Sequence, residues 1–221
     1  MLAVGDLQGA PGPEDHFKKK SLRAAEQDCP DVAAQRAEWQ VWQIGLDPRR
    51  LVFIDETWAK TNMTRLYGRA LRGERVVGRV PQGHWKTTTL IGALDISGVR
   101  CSMTLDGAVN RLAFEAFVEQ ILTPTLHPGD LVVMDNLSSH KGPRTAALIR
   151  AVDAELVYLP PYSPDFNPIE QAFSKIKQAL RTLAARTVDA LWSEMQSILD
   201  RVTPSDADGY FRHCGYPLQT K

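Results

Sequence analysis

Apolar and polar positions follow one another along this chain in a pattern that predicts a mixed α/β domain. Short apolar runs bounded by turn residues predict strands, and apolar spacings of three and four predict helices. The predicted strands are 51–55, 87–94, 99–104, 131–134 and 155–159. The predicted helices are 32–42, 110–122 (with Asn110 as N-cap), 143–151, 168–185 and 187–201. A strand meander followed by alternating helices and strands predicts a mixed five-stranded sheet flanked by helices.

The same pattern divides the chain into four segments. Residues 1–17 contain Gly and Pro without periodicity, which predicts an irregular N-terminal tail. Residues 18–46 predict a helical lead-in, whose Val32, Trp39 and Trp42 suit packing against the next segment. All predicted strands fall in the main domain, residues 47–205, and residues 206–221 are expected to form a C-terminal tail.

Composition narrows the class of protein. The 221 residues are 43% hydrophobic and 24% charged, which is typical of one soluble globular domain. Three cysteines without metal-ligand spacing argue against a disulfide framework or a zinc site. The sequence has neither a basic leader with an apolar stretch nor an apolar run of about 18 residues, so we expect a soluble intracellular protein without a membrane partner.

Three carboxylates stand at the ends of predicted elements. Asp55 and Asp135 each follow an apolar strand, and Glu170 opens the helix after the Pro-rich segment 160–168. A carboxylate at the edge of a core is unfavourable unless a positive partner lies beside it, and a divalent metal ion is such a partner. If the first and fourth strands are neighbours, as in the ribonuclease-H-like fold, Asp55 and Asp135 meet across the sheet.

Each acid also has a plainer interpretation. Asp55 and Asp135 can be polar strand exits. Glu170 can complete a capping box in which Asn167 is the N-cap and Pro168 is the first helical residue. These interpretations weaken when the three acids are taken together, because independent caps need not combine this strand order with this spacing.

Basic residues cluster although the formal net charge is zero. Seven lie between Lys60 and Lys86 against the single acid Glu74, and others precede the first strand or follow Glu170. Such clusters suit a polyanionic substrate, although solvated surface charge is an equally good interpretation of any one of them. His140 can contact such a polyanion or hold its loop, and Trp58 and Trp85 can stack on bases, if the polyanion is a nucleic acid, or pack. The candidate contacts to the polyanion are Arg65, Arg69, Arg72, Arg75, Lys86, His140, Lys141, Lys175 and Lys177.

Three sequence blocks carry a resemblance to a known family. They are IDET at residues 54–57, MDNLSSH at 134–140 and PPYSPDFNPIE at 160–170. These blocks resemble the signature blocks of the DDE transposases of the mariner superfamily, closest to its bacterial insertion-sequence branch, over about residues 18–205. The resemblance implies a ribonuclease-H-like catalytic domain in which Asp55, Asp135 and Glu170 bind two Mg²⁺ or Mn²⁺ ions.

The resemblance also implies an activity and its setting. The expected reaction is metal-dependent cleavage at element ends, followed by transfer of the freed 3′-hydroxyl into target DNA at TA dinucleotides. The expected partners are end and target DNA and a second copy of the chain in a dimeric synaptic complex. The expected location is the bacterial cytoplasm, at the nucleoid when DNA is bound.

One departure from the family opens alternatives. Family members carry helix-turn-helix domains of about a hundred or more residues before the catalytic domain, so we expect such a part to be encoded upstream. The chain then resembles the second reading frame of a split element or a truncated copy. The alternatives are an inactive or inhibitory transposase fragment and a plain metal-dependent nuclease of the same fold.

Overall fold

Five strands form one mixed sheet in the computed structural model, which describes residues 24–80, 83, 85–136 and 142–218. The strands are β1 Leu51–Lys60, β2 Thr87–Asp95, β3 Gly98–Asp106, β4 Leu131–Met134 and β5 Glu155–Tyr158. The sheet order is β3-β2-β1-β4-β5. β2 lies antiparallel to both β1 and β3, whereas β4 lies parallel to both β1 and β5. The first and fourth strands are therefore neighbours, as expected.

Helices cover both faces of the sheet. The α-helices are α1 Pro30–Gln43, α2 Arg111–Phe117, α3 Pro143–Arg150, α4 Ile169–Leu183, α5 Val188–Leu199 and α6 Pro204–His213. Alternate residues of a strand point to opposite faces, so Leu51 and Phe53 pack with α4, α5 and α6, while Val52 and Ile54 pack with α2 and α3. The predicted N-cap of α2 is confirmed, since Asn110 Oδ1 accepts a hydrogen bond from Ala113 N at 2.9 Å. A π-helical turn, Val118–Leu122, continues α2, and short 3₁₀ turns span Ala25–Asp28, Pro48–Arg50, Thr123–Thr125 and Pro164–Phe166.

β1 is longer than its apolar run predicts. Pairing with β4 stops at Ile54 and Met134, but pairing with β2 continues through Asp55 as far as Lys60. Asp55 therefore lies where the parallel neighbour ends, inside β1 rather than at its end. The residue opposite Asp55 is Gly92, where an added Cβ would lie 3.3 Å from the Phe173 ring of α4. A glycine at this position lets α4 approach the sheet beside Asp55.

The expectation that residues 206–221 form a C-terminal tail is wrong for residues 206–218, which the structure describes. α6 covers much of that segment, and Phe211 (0% exposed) and Tyr216 (1% exposed) are fully buried in the core. Both rings contact Phe53 of β1, at centroid distances of 5.4 Å and 5.2 Å respectively. Burying two large aromatic side chains stabilises this segment as part of the domain, because each removes a large apolar area from water.

The helical lead-in also belongs to the domain where it is described. Val32 and Trp39 of α1 are buried, as expected, whereas Trp42 remains 41% exposed beside Trp39. The expected N-terminal tail and residues 18–23 lie outside the described residues. Within the described part of the chain, no helix is both long and apolar enough to cross a membrane.

Candidate active site

Asp55, Asp135 and Glu170 line one open cleft of about 430 Å³. Asp55 continues the side of β1 that carries Leu51 and Phe53, which is the side that packs against α4. Asp135 directly follows β4, the parallel neighbour of β1, and Glu170 lies in the first turn of α4. The structure thus brings together all three carboxylates that the sequence singled out.

Asp55 is held in a defined position by two hydrogen bonds. Its Oδ1 accepts from the backbone N of Glu56 at 2.7 Å, and its Oδ2 accepts from Asn167 Nδ2 at 2.9 Å. Because the Asn167 side chain turns toward Asp55, it does not cap α4, which has no side-chain cap. The capping-box interpretation of Glu170 is therefore wrong.

The three carboxylates have the ligand chemistry that a divalent ion needs, although their side chains do not yet surround a common point. Carboxylate oxygens are hard ligands of the kind that Mg²⁺ and Mn²⁺ prefer. As the side chains stand, no three His, Cys, Asp or Glu residues in the described ranges form an arrangement that could hold an ion. Like charges repel, so the carboxylates are expected to converge only around a cation.

The loop that leads to Glu170 is clamped by α1. Arg36 donates to Ser163 Oγ at 2.7 Å and makes two hydrogen bonds to the Asp165 carboxylate, at 3.0 Å and 2.7 Å. Its guanidinium also lies 4.5 Å from the centroid of the Phe166 ring. A paired arginine fork fixes its partners in direction as well as distance, so Arg36 immobilises the loop that delivers Glu170.

A second clamp reaches the same loop from the C-terminal segment. Trp39 Nε1 donates to the Tyr216 hydroxyl at 2.9 Å, and that hydroxyl donates to the Phe166 carbonyl at 2.9 Å. Burial raises the pKa of the Tyr216 hydroxyl above its ordinary value, so the group remains a donor. Sequence reasoning missed Arg36 and Tyr216, because no local pattern marks partners that lie 127 and 50 residues away.

Comparison with known families decides which class of protein this is. Residues 50–192, more than half of the chain, match the profile of the family described as DDE superfamily endonuclease. The chain belongs to the DDE superfamily endonuclease family. A comparison with curated protein sequences gives no match.

The fold of this DDE endonuclease domain is similar to solved structures of Mos1 transposase. The Mos1 transposase paired-end complex with left transposon end matches with a TM-score of 0.76 and 16% identity, over 92% of this chain and 64% of that chain. The Mos1 Strand Transfer Complex matches with a TM-score of 0.71 and 18% identity, over 91% of this chain and 62% of that chain. The Mos1 transposase catalytic domain with Raltegravir and Mn matches with a TM-score of 0.65 and 16% identity, over 90% of this chain and 92% of that chain. These matches confirm the ribonuclease-H-like fold, and the chain spans slightly less than two-thirds of the Mos1 chain in the first two complexes.

Among the described candidate DNA contacts, Lys177 interacts electrostatically with Glu170 and Asp55. It lies on α4 two turns after Glu170, and its Nζ is 5.0 Å from the centroid of the half-exposed Trp58 ring. Partial burial lowers the pKa of Lys177, while Glu170 acts in the opposite direction. Lys60 also lies over Trp58, at 4.8 Å. This DDE endonuclease domain therefore carries two cations over one accessible aromatic ring, and one of those cations, Lys177, interacts with Glu170 of the cleft.

The other candidate contacts lie in different surroundings. Lys175 donates to Asp206 Oδ2 at 2.6 Å, so its charge is already paired. Lys86 is exposed just before β2. His140 and Lys141 lie outside the described residues. None of the described candidates lines the cleft.

Four candidates lie in an exposed segment, residues 65–80, which we call the basic arm. The arm contains neither helix nor strand, and each of its residues is exposed. It folds back on itself, since an added Cβ at Gly68 would lie 2.7 Å from Val76 and Glu74 N bonds to Leu71 O at 3.0 Å. The four candidate contacts on the basic arm are Arg65, Arg69, Arg72 and Arg75.

Proposed function

We propose that this chain is the catalytic part of a DNA transposase of the mariner superfamily, from its bacterial insertion-sequence branch. One observation carries the proposal: Asp55, Asp135 and Glu170 line a single cleft in a chain of the DDE endonuclease family. The similarity of its fold to the Mos1 complexes supports the same conclusion. The bacterial branch rests on the resemblance of the three sequence blocks.

Asp55, Asp135 and Glu170 are the residues that would hold the metal. Their carboxylate oxygens suit Mg²⁺ or Mn²⁺, and the similar Mos1 catalytic domain was solved with Mn. We propose that these carboxylates would hold two ions, as in other two-metal phosphoryl-transfer sites. Because the described side chains do not yet form an arrangement that could hold an ion, we expect the carboxylates to converge when the ions bind.

The proposed reaction is a pair of phosphoryl transfers. In the first, a water oxygen bonds to an end phosphorus, the P–O3′ bond breaks, and the departing 3′ oxygen takes up the proton that the water loses and becomes a free hydroxyl. In the second, that hydroxyl bonds to a target phosphorus, whose own P–O3′ bond breaks in the same way. When bound, the ions supply positive charge that favours ionisation of the attacking hydroxyl and stabilises the leaving oxygen. The hydrogen-bonded carboxylate of Asp55 and the clamped loop before Glu170 define the position of the reacting phosphate.

Basic residues around the cleft would bind the DNA backbone. We propose phosphate contacts from Lys177, Lys86 and the four arginines of the basic arm, because all of them lie on accessible surface or beside the cleft. Lys175 is a weaker candidate, since Asp206 already neutralises it. Phosphate contacts give affinity and salt dependence but little sequence preference.

The transposase proposal extends to partners and place. We propose that two copies act in the synaptic complex. Exposed apolar side chains on the basic arm, such as Tyr67 and Val77, are surfaces that a protein or DNA partner would cover. A helix-turn-helix part is expected to read the element ends, and the bacterial cytoplasm is the expected location. Both expectations rest on the family resemblance.

A cleavage and joining assay tests the proposal. Purified protein is given pre-assembled element ends and target DNA with Mg²⁺ or Mn²⁺, both alone and fused to the upstream helix-turn-helix part. We expect metal-dependent cleavage followed by joined products, and neither from the Asp135→Ala variant. Cleavage without joining would indicate a plain nuclease. Absence of both products from the fused protein would indicate an inactive fragment.

A further inference from the structure

A fourth polar side chain lies among the three carboxylates. Asn167 lines the same cleft and is only 3% exposed. Its Nδ2 donates to Asp55 Oδ2 at 2.9 Å. Its Oδ1 is buried and has no hydrogen-bond partner among the described residues. Asn167 thus touches one proposed metal ligand and leaves one strong acceptor unused.

The orientation of this amide follows from the charge of its neighbour. An ionised carboxylate only accepts hydrogen bonds, so the NH₂ end of Asn167 must face Asp55 and the oxygen must face away. A buried amide oxygen without a partner is unfavourable and uncommon in folded proteins. It therefore indicates a partner that the protein alone does not supply.

Hydrogen bonds hold the chain on both sides of Asn167. Tyr216 holds the carbonyl of the preceding residue, Phe166, and Arg36 holds Asp165. On the other side, Asn167 O accepts from Glu170 N at 3.3 Å in the first turn of α4. The position is fixed from both sides, so the unpaired oxygen belongs to the built site.

We propose that Asn167 is a positioning residue of the metal site. Its NH₂ group orients the Asp55 carboxylate, and its amide oxygen accepts a hydrogen bond from the ion's hydration shell once the carboxylates converge. Mg²⁺ gives up its waters reluctantly, so an acceptor next to the ligands favours binding. The inference deepens the proposed function and rests on it, because it takes Asp55 to be a metal ligand.

Mn²⁺ titration of the full chain without DNA tests this role apart from activity. Free Mn²⁺ is followed by electron paramagnetic resonance, and the melting temperature is recorded with and without the ion. For Asn167→Ala we expect Mn²⁺ affinity to fall about 10–100-fold, the range typical of residues that orient metal ligands. The matched control is Asn110→Ala, which removes the cap of α2 and should lower the melting temperature without changing Mn²⁺ affinity.

Asn167→Asp separates a metal-site role from a purely structural one. This variant places a second carboxylate against Asp55, so without Mn²⁺ its melting temperature should fall below that of the wild type. Mn²⁺ should then raise the melting temperature by more than it does in the wild type, because the ion relieves the repulsion. In Asn167→Ala, by contrast, the rise caused by Mn²⁺ should be smaller than in the wild type.

The outcomes separate the inference from the proposed function. Wild-type Mn²⁺ affinity in both Asn167 variants would overturn the positioning role while leaving the transposase proposal intact. Absence of Mn²⁺ binding in the wild type would overturn both. If Asn167→Ala does not fold, Asn167→Asp decides, since an unchanged Mn²⁺-induced rise in its melting temperature contradicts the inference.

Discussion

β1 connects the carboxylate cleft to the basic arm, and the two regions differ in burial, secondary structure and hydrogen bonding. Asp55 lies in the middle of β1, paired with β2 on one side and next to the end of β4 on the other. The basic arm begins five residues beyond the end of β1, and all of its residues are exposed. Buried hydrogen bonds hold the loop that lines the cleft, since Trp39 of α1 donates to Tyr216, and Tyr216, which follows α6, donates to the Phe166 carbonyl.

This difference follows from what each region is proposed to do. Metal ligands must be held in a defined geometry, so the cleft depends on packed helices from both ends of the described chain. Phosphate contacts need charge within reach but little fixed geometry, so the basic arm can stay unpacked. Stability should therefore depend on residues around the cleft and DNA affinity on the arm, and the following variants test that separation.

Phe211→Ala should produce the largest loss of stability. It deletes a fully buried ring that packs on Phe53 and Tyr216, and such truncations cost about 3–5 kcal/mol. Leu71→Ala on the basic arm, where the side chain is 75% exposed, should change stability by less than about 0.5 kcal/mol. Urea unfolding of both variants makes the comparison. Equal losses would mean that the arm is packed as firmly as the core.

Arg36→Ala should have an intermediate effect. It removes the hydrogen bonds to Ser163 and Asp165, and bonds to charged groups contribute about 1.5–3 kcal/mol. Arg36→Lys keeps the charge but loses the two-pronged geometry, so it should recover only part of the stability. Urea unfolding measures the stability, and Mn²⁺ affinity should fall in the same order. Full recovery by lysine would show that charge alone holds the loop.

Acid should weaken α6 in a narrow range of pH. Hydrogen bonds from Lys175 and from Thr203 lower the pKa of the Asp206 carboxyl to about 2. Its contribution to stability is therefore present above its ordinary pKa of 3.8 and is lost as the pH falls from there toward 2. Melting temperatures of Asp206→Asn and Lys175→Met, taken across this range, should depend less on pH than those of the wild type. Identical pH dependence in all three would contradict the assignment.

Replacing Arg69, Arg72 and Arg75 together by Ala should leave stability nearly unchanged, because all three are exposed. DNA affinity should fall evenly across sequences. The slope of log K against log salt should drop by about 0.9 for each phosphate that the variant no longer neutralises. Fluorescence anisotropy over a range of salt concentrations measures that slope. An unchanged slope would show that the basic arm does not bind DNA.

Sequence predicted the parts of this site that depend on local pattern. Apolar runs predicted the strands. The acids that follow two of these runs, Asp55 and Asp135, were predicted as site residues, and both line the cleft. The full length of β1 was not predictable in this way, because its second half is stabilised by pairing with β2 rather than by its own apolar run.

The errors came from contacts between distant parts of the chain. Asn167 has the sequence position of a helix cap, but a carboxylate 112 residues away takes its side chain instead. Residues 206–218 have few large apolar positions, yet Phe211, Cys214 and Tyr216 are buried in the core. Arg36 carries no local sign of its partners, which lie 127 and 129 residues along the chain.

Anomalous diffraction from crystals grown with Mn²⁺ tests the central claim most directly. The account predicts Mn²⁺ between the carboxylates of Asp55, Asp135 and Glu170, as two peaks about 3.5–4 Å apart. The same crystals should place the amide of Asn167 beside Asp55. Under the same conditions, the Asp135→Ala variant should lose at least one peak. Mn²⁺ bound only elsewhere on the protein, or no Mn²⁺ peak at saturating concentration, would contradict the account.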